Sequence, residues 1–181
     1  IVFLVWQFAS FQKAMAQMPR GWSVAGLPVN EQTPQQVILK LSQAYTQPVT
    51  LRYRDESLAL DPVLVDFKLD GVATQQLLNE ARAEVSGGTQ AFLYYLTQRT
   101  PPPRELEPAT SYSEEKLRAF LTEVSEKYDQ APTAPAPLVD ELRFVQGQPG
   151  TELHVSASVP AIAAALRSGA RRQVNLTVRT I

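Results

Sequence analysis

The stretch "VTLRYRDESLALDPVLVDFKLD", Val49 to Asp70, decides how the rest of the chain is read. Val49, Leu51 and Tyr53 fall on one face of a strand, and Leu58 and Leu60 on one face of the next. "RDES", residues 54–57, is the turn between them, so the segment predicts a β-hairpin. Alternation resumes in "VLVDFKLD", where Val63, Val65, Phe67 and Leu69 share a side and predict a further strand. Strands that alternate polar with apolar belong to a sheet with one covered face. A doubly wound parallel sheet would need near-continuous apolar runs instead.

Helical patterns flank this stretch. Upstream, Thr33 and Pro34 read as a cap and a first-turn proline, followed by Val37, Leu41, Ala44 and Tyr45 on one face until Pro48. Downstream, Leu77, Leu78, Ala81 and Val85 predict a helix over Val72 to Val85, broken by Gly87 and Gly88. A second helix is predicted over Gln90 to Gln98. After a proline-rich crossing that includes a short edge strand within Leu106 to Tyr112, Ser111 and Glu114 have capping-box spacing. The helix behind them carries Leu117, Phe120, Leu121, Val124 and Tyr128.

"QAPTAPAPLVDE" reads as an extended run over the surface. "ELRFVQGQPGTELHVSAS" reads as two strands joined by a Gly-Gln-Pro-Gly turn, followed by a helix from Pro160 to about Ser168 and a last strand, "QVNLTVRT". An echo links "TPQQVILKLSQAYTQPVTLRYR" to "VPAIAAALRSGARRQVNLTVR": each reads as a proline-started helix leading, through a short turn, into a V-x-L strand. The fold class expected is α+β, a mixed, mostly antiparallel sheet with helices packed on it.

The chain has 181 residues, room for one domain of ordinary size or two very small ones. A formal net charge of -1 gives no reason to expect nucleic acid as a partner. Charge is nevertheless uneven. Arg104 to Asp129 holds four basic and seven acidic residues, whereas Arg143 to Ile181 holds five arginines and one glutamate. With no cysteine and one histidine, thiolate zinc sites, cysteine nucleophiles and any site needing two histidines are excluded, and no cofactor is implied.

Ile1 to Phe11, "IVFLVWQFASF", contains no charged residue. It is shorter than the roughly 20 residues that cross a bilayer. Its first six positions are apolar all round, which suits lipid better than a half-wetted helix face. Residues 1–20 are therefore expected to be the end of a truncated transmembrane helix. Val2, Phe3, Leu4, Trp6, Phe8 and Phe11 would contact membrane or a partner, ahead of a domain over 21–181. The alternatives are a helix packed in the core or on a partner, and the remnant of an export signal.

Few residues suggest catalysis. Ser113 and Lys116 have the S-x-x-K form of serine acyl-enzymes, but neither partner element of that motif occurs, and a helix cap explains the serine. His154 sits in an alternating run without a nucleophile motif beside it. Asp55, Asp61, Asp66 and Asp70 lack calcium-loop spacing and read as turn formers. Arg167, Arg171 and Arg172 stand at a predicted helix C-terminus, where they complement the dipole or form an anion-binding patch. Asn175-Leu-Thr177 matches a glycosylation acceptor inside a strand, where the match is accidental. No catalytic residue is assigned. Aromatic faces can stack on sugars, and Trp22, Tyr94, Tyr95 and Tyr112 are the candidates for ligand contact.

"GWSVAGLPV", "TPQQVILKL" and "VTLRYRDESLALDPVLVDFKLD" resemble, in order and spacing, the opening of the peptidoglycan-binding domains of bacterial VanW-type proteins. Similar domains occur ahead of L,D-transpeptidase modules. The later "FLYYL", "KYDQAP" and "FVQGQPGTELHVSAS" look like the second half of the same domain. This resemblance implies a non-enzymatic binding domain on the extracytoplasmic side of a bacterial membrane, held by one span, with peptidoglycan as partner. Any catalytic module would then lie beyond Ile181. The alternatives are an accessory subunit of a membrane protein complex and the non-catalytic N-terminal part of a cell-wall enzyme.

Overall fold

Glycine punctuation in Gly21–Val29 produces a tight hairpin. Strands β1 (Ser23–Val24) and β2 (Leu27–Pro28) turn on Ala25 and Gly26, both with positive φ (51° and 77°). The computed structural model describes residues 16–86, 102–138 and 143–181. The second helix predicted, Gln90 to Gln98, lies outside them, as do Val2, Phe3, Leu4, Trp6, Phe8, Phe11, Tyr94 and Tyr95. Among the described residues, no helix is long and apolar enough to cross a membrane.

Helix α1 (Pro34–Tyr45) begins at Thr33, with the reciprocal capping box completed by Gln36. It buries Val37, Leu41 and Tyr45. The expected hairpin follows as β3 (Val49–Tyr53) and β4 (Glu56–Leu60), paired from Val49↔Leu60 to Tyr53↔Glu56. Arg54 takes the left-handed conformation at the turn (φ 53°).

The third strand predicted across Val63–Leu69 is largely absent. Asp61 accepts from the Val63 amide, Pro62 occupies the first helical position, and a 3-10 turn forms over Pro62–Val65. Asp66 then ends the turn in the left-handed region (φ 51°). Val63 and Leu64 therefore face water (76% and 55% exposed), and only Val65 enters the core. A remnant, β5 (Lys68–Leu69), survives before α2 (Gly71–Ser86), which buries Leu78 and Ala81.

Past the crossing come β6 (Glu105–Leu106) and β7 (Thr110–Ser111). Strand β6 lies parallel to β1, and β7 antiparallel to β5. Pairing of Ser111 with Lys68 draws that serine into the strand, so the cap of α3 (Glu114–Tyr128) is Ser113, two residues later than the spacing suggested. The proline-rich segment does run over the surface, with residues 131–135 exposed. It forms a ribbon in which β8 (Ala136–Leu138) pairs with β9 (Arg143–Val145).

Strand β10 (Thr151–Leu153) pairs not with β9 but with the end of the chain. His154, expected inside a strand, is instead the residue from which α4 (Val155–Arg167) starts, five residues earlier than Pro160 suggested. The expected last strand is two. Gln173–Asn175, β11, lies parallel to β3, and Val178–Thr180, β12, antiparallel to β10. The strands of the two echo segments, β3 and β11, are thus direct neighbours.

The α+β class is observed, but the single sheet expected is replaced by small sheets of two or three strands, mostly antiparallel among the described residues. One core lies between β3–β4–β11 and helices α3 and α4, around Leu51, Tyr53, Leu121, Ile162 and Leu166. The other gathers Trp22, Val24, Leu41 and Leu78 between the N-terminal hairpin, α1 and α2. Each fully buried leucine contributes about 1.5–3 kcal/mol.

Candidate functional site

Helix α4 carries Ala161, Ala164 and Ala165 at helical spacing, and with the C-cap residue Ser168 this stripe of small side chains floors a cleft of ≈ 720 Å³. One wall is Ser23, Gly26 and Glu105, from the N-terminal hairpin and β6. The other is Ala170, Arg171, Gln173, Val174 and Asn175. A side branch of ≈ 240 Å³ shares Glu105, Ala164 and Ser168 and runs on to Glu107, Pro108 and Arg167.

Backbone bonds set the walls. The Gly169 amide donates to the Ala25 carbonyl at 2.9 Å, tying the loop after α4 to the hairpin. Ser168 Oγ accepts from the amides of Ala170 (3.3 Å) and Arg171 (2.9 Å), which shapes that loop. Gly26 is required here: its φ is +77°, and a Cβ would lie 3.2 Å from Ala170 Cβ.

Among the described residues, strand β11 is an edge. The Arg172 carbonyl accepts from Thr50, and the Leu176 amide donates to Arg52, both on β3. By the alternation of a parallel ladder, the N–H and C=O groups of Gln173 and Asn175 point away from β3, toward the cleft they line.

The three clustered arginines have separated roles. Arg172 is structural: Nε and Nη2 donate to the Gln47 carbonyl (3.0 and 2.6 Å), Nη1 donates to the Ser168 carbonyl (3.2 Å), and the guanidinium lies over the Tyr45 ring. Arg167 lies over Tyr112, 5.7 Å from the ring centroid. Arg171 is exposed in the cleft wall and has no partner among the described residues. The same holds for Glu105 and Glu107 on the opposite wall. Among the described residues the cleft therefore presents a cation, Arg171, and a carboxylate, Glu105, neither with a partner, and Glu107 adds a second such carboxylate in the side branch.

The aromatic candidates are not brought together. Trp22 is 2% exposed, its indole N–H donates to the Pro102 carbonyl at 3.2 Å, and Arg104 lies over its ring. No stacking face is offered there. Tyr112 packs half-buried against the other core under Arg167, and it does not line the cleft. Glu105 and Gln173 were not singled out from sequence, and Asn175 was noted only as part of a glycosylation-acceptor match. Their only signal was the opposed charge of the blocks containing Glu105 and Arg171.

Two other constellations resolve into ordinary roles. Ser113 Oγ accepts from the Lys116 amide, and Lys116 Nζ pairs with Asp66 at 2.6 Å, so the S-x-x-K residues cap and brace a helix. This ammonium holds the Asp66 carboxyl below the usual carboxylate range. Ser156 Oγ stands 3.4 Å from His154 Nε2, a long contact between exposed groups. No carboxylate orients that ring among the described residues.

Comparison with known proteins gives one family. Residues 80–175 match the model described as "Putative peptidoglycan binding domain". The match spans β6, α3, α4 and β11, and takes in ten of the twelve residues that line the main cleft. No curated protein and no solved structure matches the chain.

Proposed function

The chain belongs to the family of peptidoglycan-binding domains, and from that membership we propose that it is a non-catalytic module that grips cell-wall peptidoglycan outside the cytoplasmic membrane. What carries the reading is the coincidence of the family match with the cleft. Both helices of the larger core and most of the cleft's lining lie inside residues 80–175. The cleft is open to solvent, and its lining mixes the small apolar residues of α4 with the polar and charged Ser23, Glu105, Arg171, Gln173 and Asn175.

The N-terminal run supplies the finer part of the proposal. Ile1–Phe11 ends a membrane anchor, with Val2, Phe3, Leu4, Trp6, Phe8 and Phe11 in lipid, and Gly21 begins the external domain in the manner of VanW-type proteins. Incubating the full chain with purified sacculi and pelleting them tests the function. Retention in the pellet at low salt is expected, and a chain left wholly in the supernatant overturns the reading.

A further inference from the structure

We propose that the cleft reads the peptide stems of peptidoglycan rather than its sugar chain, by adding a short extended peptide to the open edge of β11 between Arg171 and Glu105. The inference rests on the peptidoglycan reading above and specifies which part of the polymer is held.

Three observations converge on a peptide. First, among the described residues the cleft's lining contains no aromatic side chain, and so no flat apolar face of the kind on which sugar rings stack. Second, it has an unpaired strand edge. Gln173 and Asn175 line the cleft and turn their backbone donors and acceptors away from β3, and an extended chain of amides matches the spacing of such a row. That edge is three residues, about 10 Å at the usual strand rise, which suits a stem of a few residues better than a long protein segment.

Third, the charges are complementary to a stem. Peptide stems carry free carboxylates and, where the third residue is a diamino acid, a primary amine. Arg171 offers a carboxylate a guanidinium with no partner among the described residues, and Glu105 likewise offers a carboxylate to an amine. The floor of Ala161, Ala164 and Ser168 keeps α4 low enough for a backbone to lie along β11. Arg167 and Glu107 extend the same opposition of charge into the side branch.

The test titrates three probes into the full chain by calorimetry. They are the free tetrapeptide L-alanyl-γ-D-glutamyl-diaminopimelyl-D-alanine, sugar strands stripped of peptide by an amidase, and intact sacculi. Binding of sacculi and tetrapeptide but not of stripped strands is expected. Arg171→Ala and Glu105→Gln should each weaken the tetrapeptide about tenfold or more. Both side chains are exposed and without a partner among the described residues, so melting curves are expected to be unchanged, which will confirm that the variants fold.

Sacculi bound through stripped strands alone overturn the peptide assignment while leaving the peptidoglycan reading intact. Tetrapeptide binding indifferent to both substitutions overturns the placement in this cleft. Failure to bind sacculi at all overturns both proposals.

Discussion

The last residues of α1 and α4 are joined by one hydrogen bond: the Tyr45 hydroxyl donates to the Arg167 carbonyl oxygen at 2.7 Å. Tyr45 is buried against Phe67 in an edge-on contact with centroids 5.0 Å apart, and Arg172 lies over its ring. The bond links the two cores and steadies the end of the helix that floors the cleft.

Alkaline pH should expose this linkage. Burial pushes the Tyr45 phenol up to about 12, with the Arg172 guanidinium opposing the shift. In the unfolded chain the phenol ionises near 10. The contribution is therefore full below pH 10 and is lost as pH rises through about 12, amounting to roughly 2–3 kcal/mol. Urea unfolding between pH 8 and 11.5 should show stability falling with pH, more steeply in wild type than in Tyr45→Phe. Tyr53, raised by its own burial and by Asp129, adds a slope of the same sign, which Tyr53→Phe removes separately. At neutral pH, Tyr45→Phe should cost about 1–2 kcal/mol for the bond to Arg167.

Asp129 should prove the most sensitive polar position of the larger core. Its Oδ1 accepts from the Tyr53 hydroxyl (2.7 Å) and the Leu153 amide (3.0 Å), and its Oδ2 accepts from Ser125 Oγ. One carboxylate thus joins β3, β10 and the end of α3. Asp129→Ala strands three donors at once and should destabilise by about 2–4 kcal/mol, against about 1 kcal/mol for Tyr53→Phe, which removes a single bond. Urea midpoints measure both. Equal effects from the two substitutions would mean that the Leu153 and Ser125 bonds contribute nothing.

Much of the helical framework was legible because burial there follows a single periodicity. Val37, Leu41 and Tyr45 on α1, and Leu117, Leu121 and Val124 on α3, are the positions that enter the cores. The hairpin over Val49–Leu60 was legible for the matching reason at period two. Val63–Leu69 misled because alternation says nothing of the Asp61 cap and Pro62, which are local and stronger. "QVNLTVRT" misled differently: Val174, Leu176 and Val178 keep strand spacing across the point where the chain leaves β3 for β10. The cleft was the least legible part. An open edge is defined by what fails to pair with it, and opposed charges count only once the fold sets them across a gap.

The crossing from β11 to β12 supplies the last prediction. Ser158 is 1% exposed; its Oγ accepts from the Thr177 amide at 3.0 Å and donates to the His154 carbonyl at 3.1 Å. The His154 amide in turn donates to the Thr177 carbonyl at 2.8 Å. The first turn of α4 is thereby fastened to the point where the strand changes partners. Ser158→Ala leaves the Thr177 N–H without its acceptor and should cost about 1–3 kcal/mol. Loss should be local before it is global, because β12 is held to the fold through its short pairing with β10. Amide exchange should therefore accelerate at Thr177 to Thr180 at denaturant concentrations where Val174 and Leu51 stay protected. Uniform acceleration across both strands would show that the hydroxyl stabilises the whole fold and does not act as a fastener at this crossing.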